Sequence, residues 1–404
     1  MINKIFIASL MITYLYVLTF GVFLTPSIRI PAPIVICLPL FFLYGDFKGR
    51  NFLYKREIFL FTAATFFAYG LVQSSIFKII PTLIVVYFCI LYFNYFVHDN
   101  WSRYKASVIF FYFWLVISSI IMLLNHVFPP QIDSLRVYLA GYTPDFQSPS
   151  GITQYIFSFG YQAASLTSFI FTFVIIYRRH TVIKIAVLIF ALIIIYFGLQ
   201  RSVLVTFSFA SVLLVVIFYR FNSLWILGFA AVIFMLVYST VEEKTKNYDN
   251  IFAKNERDPD GNRKDLVAEN LKIITDYPYG LIFHGKTWSE ATRNSVVFSS
   301  GITSHNAYLM FITYLGPFLG IGFLVAIYFK IWKLFKHAVF NIYDPKIALL
   351  ICLCFSFLSV SLNSMSHNAW LLNGNGPTIF LYFAIIHFGN FFLRQRDAAL
   401  DNPK

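Results

Sequence analysis

Charged residues are scarce in this sequence, and their scarcity excludes a soluble fold. Only 12% of the 404 residues are charged, about half of the ~25% that is usual in soluble globular proteins, whereas 59% are hydrophobic and 20% are aromatic. A soluble domain of this length could not bury so much apolar surface in one core. Lipid is the solvent that suits this composition, so the sequence predicts an all-α integral membrane protein.

Acidic residues and the common catalytic motifs are also missing from the places where chemistry would need them. The apolar stretches hold almost no Asp or Glu, which argues against a transporter driven by protons or sodium ions. The chain has no phosphate-binding P-loop, no His-Glu-x-x-His sequence and no Gly-x-Ser-x-Gly sequence, so ATP-driven transport and zinc or serine hydrolysis are unsupported. The four cysteines lie inside apolar stretches, without the spacing of a metal site or a disulfide framework: Cys37, Cys89, Cys352 and Cys354.

Long apolar stretches are what the sequence does have, and twelve of them are candidate membrane-spanning helices. A spanning helix needs roughly 17–25 predominantly apolar residues. No small-residue cleavage site follows the first stretch, so we interpret it as a retained helix rather than a signal peptide. The candidate spans cover residues 5–24, 29–44, 57–77, 79–97, 105–124, 153–177, 182–199, 202–219, 223–240, 306–329, 346–363 and 377–393.

Basic residues predict how these helices are oriented, because cytoplasmic connections are enriched in Lys and Arg. The N-terminus, the connections after spans two, four, six, eight and ten, and the C-terminal tail are all basic. The short connections on the other side hold only Arg29, Lys78, Arg136 and Arg201. Twelve spans with both termini in the cytoplasm satisfy the rule at every connection. The net charge of +13 is therefore interpreted as a topology signal, and nucleic acid is not an expected partner.

Two polar connections are predicted to lie outside, and with the spans they form a single membrane domain over residues 1–404. The smaller loop covers residues 125–152. The larger covers residues 241–304, between spans nine and ten, and long loops of this kind are translocated regardless of their charge.

The larger loop contains the pattern of a short amphipathic helix over residues 262–275. Val267, Leu271 and Ile274 recur at helical spacing between charged residues. This pattern predicts a helix that lies at the membrane surface, with these three side chains as its apolar face. Pro278 follows directly and would end the helix.

Arg201 is the first candidate for chemistry, because it stands between spans seven and eight with no acidic neighbour in sequence. A charged side chain at membrane depth is costly. Either Arg201 snorkels to the interface, or its guanidinium binds an anion such as phosphate, whose oxygens it matches in geometry. The sequence leaves both interpretations open.

His305 is the second candidate, at the start of span ten in Ser-His-Asn-Ala-Tyr-Leu. An imidazole titrates near neutral pH, so it can act as a base or donate to phosphate, although interfacial His and Tyr residues are ordinary when taken alone. Gly316-Pro317 permits a kink later in the span. His367 stands in a second Ser-His-Asn-Ala sequence on the side predicted to be outside, which we interpret as a coincidence, with a shared site as the alternative.

From Arg263 to Gly322 the chain resembles the membrane superfamily of O-antigen polymerases (the Wzy type) and O-antigen ligases. Each motif is weak alone, and their order and predicted side of the membrane make the resemblance. The motifs are the Arg-containing amphipathic stretch Arg263–Ile274, the turn Tyr277-Pro278-Tyr279-Gly280, the helix start His305–Leu309, the Gly-rich stretch Gly316–Gly322 and the element Gln200-Arg201-Ser202.

The resemblance implies a metal-independent glycosyltransferase that needs no cofactor and acts at the outer face of a bacterial inner membrane. Its substrates would be oligosaccharides linked to undecaprenyl diphosphate. By the same resemblance, Arg201 and Arg263 would stabilise the diphosphate leaving group, and His305 would deprotonate the acceptor hydroxyl or hold a phosphate oxygen. Further expected phosphate or sugar contacts are Arg136, Lys286, Arg293, Asn306, Tyr308 and His367. Without the resemblance, Tyr308 would be interpreted as a member of the aromatic belt at the membrane interface.

Three functions remain open at this point. Ligases that resemble this chain often have an acid after the His-Asn helix start, whereas Met310–Leu315 has none, which favours a polymerase. The ligase would transfer the glycan to lipid A-core. A flippase for lipid-linked oligosaccharide is less favoured, because it would not need the long outside loop. A chain-length regulator in the same membrane is a possible partner of a polymerase.

Overall fold

The protein is described by a computed structural model over residues 2–20, 38–46, 52–67, 79–140, 151–152, 156–232, 263–292, 305–367 and 376–393. Within these ranges all repetitive backbone structure is helical, without a strand. Seven helices there are long and apolar enough to cross a membrane. In this coarse form the prediction of an all-α, multi-pass membrane protein is confirmed.

Each of the twelve candidate spans coincides, at least in part, with a described helix, and three further described helices lie in the connections. The helices are α1 Ile2–Phe20, α2 Leu38–Phe42, α3 Lys55–Thr65, α4 Ile79–Leu91, α5 Trp101–Val127, α6 Pro129–Ala140, α7 Ile156–Ile176, α8 Thr181–Phe197, α9 Arg201–Tyr219, α10 at residues 223–232, α11 Arg263–Asp276, α12 Trp288–Ala291, α13 Ala307–Phe340, α14 Ala348–Asn363 and α15 Gly376–Phe388.

The chain divides into two compact units. Unit one comprises residues 1–37, 106–259 and 335–363, and unit two comprises residues 38–105, 260–334 and 364–404.

Unit one is packed by small polar side chains where α5, α7, α9 and α14 meet. The Tyr112 hydroxyl donates to Ser356 Oγ over 2.8 Å, and Ser356 Oγ lies 3.0 Å from Ser165 Oγ. Ser359 Oγ donates to Thr206 Oγ1 over 3.3 Å. Small residues that allow close approach, joined by interhelical hydrogen bonds, are typical of helix packing in membranes. The hydroxyl groups of these five residues are therefore hydrogen-bonded to one another.

Basic connections of unit one meet at one end of its bundle. The Tyr343 hydroxyl donates to the Phe218 carbonyl over 2.6 Å, and the Arg220 guanidinium lies 5.5 Å from the centre of the Tyr343 ring. Lys184 Nζ donates to the Tyr219 hydroxyl over 3.1 Å. The connections after candidate spans six, eight and ten, which the charge rule assigned to one side, therefore share one end of the unit.

The same grouping holds within unit two. Lys330 Nζ lies 2.6 Å from Glu57 Oε1, which ties the second part of α13 to the start of α3. Tyr54 Oη lies 2.7 Å from His387 Nδ1, and His387 Nε2 lies 2.5 Å from the His98 carbonyl oxygen. The connections after candidate spans two and four thus meet the ends of spans ten and twelve.

Helix α13 reverses direction at Gly316. The sequence predicted a kink there, and the observed change of direction is larger than a kink. Gly316 has φ 77° and ψ 159°, so the helical backbone is interrupted there, and Pro317 starts a second segment. Tyr308 Oη and Tyr328 Oη lie 2.8 Å apart although twenty residues separate them, so residues 307–315 fold back along the beginning of the second segment. At 1.5 Å per residue the first segment is only about 13 Å long, too short to cross a membrane by itself.

Candidate functional site

Arg201 lies in unit one, at the first position of α9, after a tight turn from α8. A Cβ at Gly198 would overlap the Ile194 carbonyl and the Phe159 ring, and Leu199 has a φ of 51°. Gln200 precedes the helix with an extended backbone and makes no side-chain cap hydrogen bond. The partly exposed Arg201 therefore adds its charge to the positive end of the dipole of a 19-residue helix. Backbone N–H groups and a guanidinium at one helix start suit a phosphate or another anion.

Arg136 also belongs to unit one, on α6 in the smaller predicted loop. It is 2% exposed. Its Nε donates to the Gly151 carbonyl over 2.9 Å, and its Nη1 donates to Asn125 Oδ1 over 2.8 Å and to Asp133 Oδ1 over 3.0 Å. Burial lowers the pKa of the Arg136 guanidinium, while the Asp133 carboxylate acts in the opposite direction. This side chain joins the loop to α5 and α6, and a role in substrate binding stays a prediction.

Two buried carboxamides converge beside the start of α9, and the sequence pointed to one of them, Gln200, only as part of the Gln200-Arg201-Ser202 element. The other was not singled out by the sequence. Gln200 is 4% exposed and Asn363, the last residue of α14, is 0% exposed. Both lie against Gly160, where a Cβ would be 3.2 Å from Gln200 Oε1 and 3.5 Å from Asn363 Nδ2. Residues 200 and 363 are far apart in sequence, so only the packing of α7, α9 and α14 reveals that these two carboxamides converge.

In unit two the helix predicted in the larger loop is present as α11, Arg263–Asp276, and the residues predicted to face the membrane surface are not those that pack inside the protein. Val267 and Leu271 are 40% and 55% exposed. Leu266, Asn270 and Ile273 are buried instead, and the apolar members pack against Leu281 and Trp288. The helix has two partly apolar stripes, and the stripe that contains Asn270 is buried because that carboxamide finds partners inside.

Asn270 holds three elements of unit two together. Its Oδ1 accepts hydrogen bonds from Trp288 Nε1 over 3.0 Å and from Thr313 Oγ1 over 3.1 Å. Its Nδ2 donates to the Leu266 carbonyl over 2.7 Å. Asn270 and Trp288 are both nearly inaccessible to solvent. The hydrogen bonds therefore fix α11 against α12 and against the first segment of α13.

The turn Tyr277-Pro278-Tyr279-Gly280 lies directly against the reversal of α13. Gly280 has a φ of 97° and Gly316 a φ of 77°. A Cβ at Gly280 would overlap the backbone of Leu315 and Gly316, and a Cβ at Gly316 would overlap the backbone of Tyr279. Two separate pieces of the family-like segment are thus in backbone contact, which requires glycine at both positions.

The helix start at His305 has a clear local geometry. His305 is partly exposed and has a φ of 49°, just before α13. Asn306 Oδ1 accepts from the backbone N–H groups of Tyr308, over 3.1 Å, and Leu309, over 3.0 Å, which makes Asn306 the cap of the helix. The Tyr308 hydroxyl is bonded to Tyr328. Capping and hairpin packing account for Asn306 and Tyr308, so their predicted substrate contacts need an independent test.

The remaining predicted site residues also fall in unit two. Lys286 Nζ donates to the Tyr277 hydroxyl over 2.7 Å and lies 4.7 Å from the centre of its ring. His367 is 5% exposed and follows α14. Arg263 is the first residue of α11, while its side chain and all of Arg293 lie outside the described part of the protein.

Comparison with known proteins adds no assignment to this geometry. No family model matches the chain, and no curated protein matches it.

Proposed function

We propose that the protein is an O-antigen polymerase that joins undecaprenyl-diphosphate-linked oligosaccharide repeat units at the periplasmic face of a bacterial inner membrane. The proposal includes twelve spans, both termini in the cytoplasm and a periplasmic loop over residues 241–304. The observation that carries it is the assembly of family-like motifs within unit two: Asn270 ties the loop helix to the segment after His305, and Gly280 touches Gly316.

Chemistry of the proposed reaction needs a base, a leaving-group site and no metal. The acceptor hydroxyl oxygen forms a bond to the anomeric carbon of the donor glycan. The bond from that carbon to the diphosphate oxygen breaks, and its electron pair stays on undecaprenyl diphosphate. His305 takes the proton of the acceptor hydroxyl. Arg201 and Arg263 stabilise the negative charge that grows on the leaving group, which accelerates the reaction more than binding the ground state would.

Arg201 has support of its own as the leaving-group site. Its guanidinium stands at the N-terminus of α9, where the helix dipole is also positive, and Gln200 offers this end no side-chain cap. Because two positive features at one place repel other cations and attract anions, a diphosphate is the natural ligand there.

Lipopolysaccharide from a deletion strain tests the function. We expect loss of a polymerase to leave lipid A-core that carries a single repeat unit. Loss of a ligase or a flippase would leave core alone, and loss of a ligase would also accumulate polymer on the carrier lipid outside. A ladder of normal length in the deletion strain would exclude the polymerase.

Point variants test the assignment of the site. We expect Arg201→Ala and His305→Ala to reproduce the deletion pattern at normal protein level. Arg220→Ala is the matched control for the first, because Arg220 stands at the other end of α9 against Tyr343. His180→Ala is the control for the second, since His180 is an exposed residue before α8. Normal ladders from both site variants would refute the assignment of Arg201 and His305.

A further inference from the structure

Asn363 is a buried carboxamide whose hydrogen-bonding groups are unused by the part of the chain that the structure describes. It is 0% exposed, and neither Oδ1 nor Nδ2 has a hydrogen-bond partner there. The other polar groups on the same face of α14 behave differently, because Ser356 and Ser359 are bonded to Tyr112 and Thr206. An amide buried without partners is costly, so such a group points to a ligand that supplies a donor and an acceptor.

Gln200 and Gly160 define the surroundings of this carboxamide. Gln200 Oε1 and Asn363 Nδ2 both pack against Gly160, where a Cβ would come within 3.2 Å and 3.5 Å of them. Two neutral carboxamides therefore converge over a residue that has no side chain. Each can donate and accept, which matches the hydroxyl and acetamido groups of a sugar and leaves no charge to favour an ion.

The position of the pair relative to Arg201 indicates which sugar it contacts. Gln200 is joined directly to Arg201, the residue proposed to hold the diphosphate. In a lipid-linked glycan the first sugar is bonded to that diphosphate, so a polar site beside the diphosphate site meets the first sugar before any other. The chemistry of the two amides and their place at the start of α9 thus agree on one ligand group.

We infer that Asn363 and Gln200 form a recognition site for the first sugar of the lipid-linked oligosaccharide, with Asn363 as its specificity-determining residue. This inference rests on the proposed function, because it assumes that Arg201 binds the carrier diphosphate.

Binding of defined carriers to the full-length protein tests the site. The probes are undecaprenyl diphosphate alone and undecaprenyl diphosphate bearing glucose, galactose, N-acetylglucosamine or N-acetylgalactosamine. We expect the wild type to bind at least one sugar-bearing carrier about tenfold more tightly than the bare carrier, the effect of one or two hydrogen bonds. Asn363→Leu, which keeps the approximate shape of the side chain, should bring that ratio close to one without changing the affinity for the bare carrier.

Three further variants separate the alternatives. Ser359→Ala is the matched control one turn away on α14, and it should keep the sugar preference. Asn363→Asp keeps the shape but loses the donors, so it serves if Asn363→Leu does not fold, and it should also lose the preference. Arg201→Ala should weaken binding of every carrier, including the bare one.

Specific outcomes would overturn the inference. A sugar preference that survives in both Asn363 variants would show that Asn363 does not touch the sugar. If the Asn363 variants have a lower melting temperature and bind all carriers more weakly by the same factor, Asn363 has a structural role only. A wild type that binds carriers without any sugar preference would end the inference but leave the polymerase standing, whereas a wild type that binds no carrier would end the proposed function itself.

Discussion

Gly280 and Gly316 lie in backbone contact, each with a positive φ, and neither position has room for a Cβ. The contact joins the turn that follows α11 to the reversal inside α13. It therefore fixes the end of α11 against the first segment of α13, which begins two residues after His305.

Alanine at Gly280 or Gly316 should disrupt this contact. Residues other than glycine at such φ values cost about 1–3 kcal/mol for the backbone alone, and steric overlap adds to that cost. We expect both variants to lower the melting temperature of the purified protein and to abolish polymerisation. Gly322→Ala is the control, because a Cβ there meets nothing within 4 Å. Full activity of Gly280→Ala would mean that the turn does not position the site.

Asn270→Leu should release α11 from its neighbours. The substitution leaves the Trp288 indole N–H without its acceptor inside a buried site, a loss of roughly 1–3 kcal/mol. We expect faster hydrogen exchange over residues 263–292, with little change in the membrane helices. Thr275→Ala is the control on the same helix, since that exposed hydroxyl bonds only to the Leu271 carbonyl. Unchanged exchange in the Asn270 variant would contradict the role of the network.

Glu57 and Lys330 should respond unequally to substitution. The Glu57 side chain is 1% exposed and the Lys330 side chain 31% exposed, so water can solvate the lysine but not the carboxylate. Lys330→Ala leaves the buried carboxylate unpaired and should lower the free energy of unfolding by about 3–5 kcal/mol. Glu57→Gln should cost less, and the double variant Glu57→Leu, Lys330→Met should recover stability relative to Lys330→Ala. Thermal unfolding in detergent measures this order, with the exposed Lys333→Ala as control, and equal losses in both single variants would refute it.

Cysteine labelling tests the predicted sides of the membrane. In a variant without the native cysteines, single cysteines at exposed positions 180 and 343 should react only after the inner membrane is permeabilised. Cysteines at exposed positions 138 and 272 should react from the periplasm of intact inner membranes. If positions 138 and 272 label from opposite sides, the grouping of polar residues on which the proposed function depends is lost.

Hydropathy, charge and local propensity predicted most of the described helices and, within each unit, the grouping of the basic connections. The bounds of α11 followed from its local pattern, and Pro278 ended it as expected. The helix α6 was missed because residues 125–152 are rich in Pro, Asp and Ser, although prolines are tolerated in the first turn of a helix.

What the sequence alone determined is therefore the all-α, multi-pass class and the position of most described helices, because burial in lipid and helix formation depend on residues that are near one another along the chain. The tertiary structure decided which stripe of α11 is buried, how far α13 turns back at Gly316, and that Asn363 meets Gln200 over Gly160. Each of these depends on contacts between residues far apart in sequence. A local pattern carries no information about which distant backbone or carboxamide will fill the facing position.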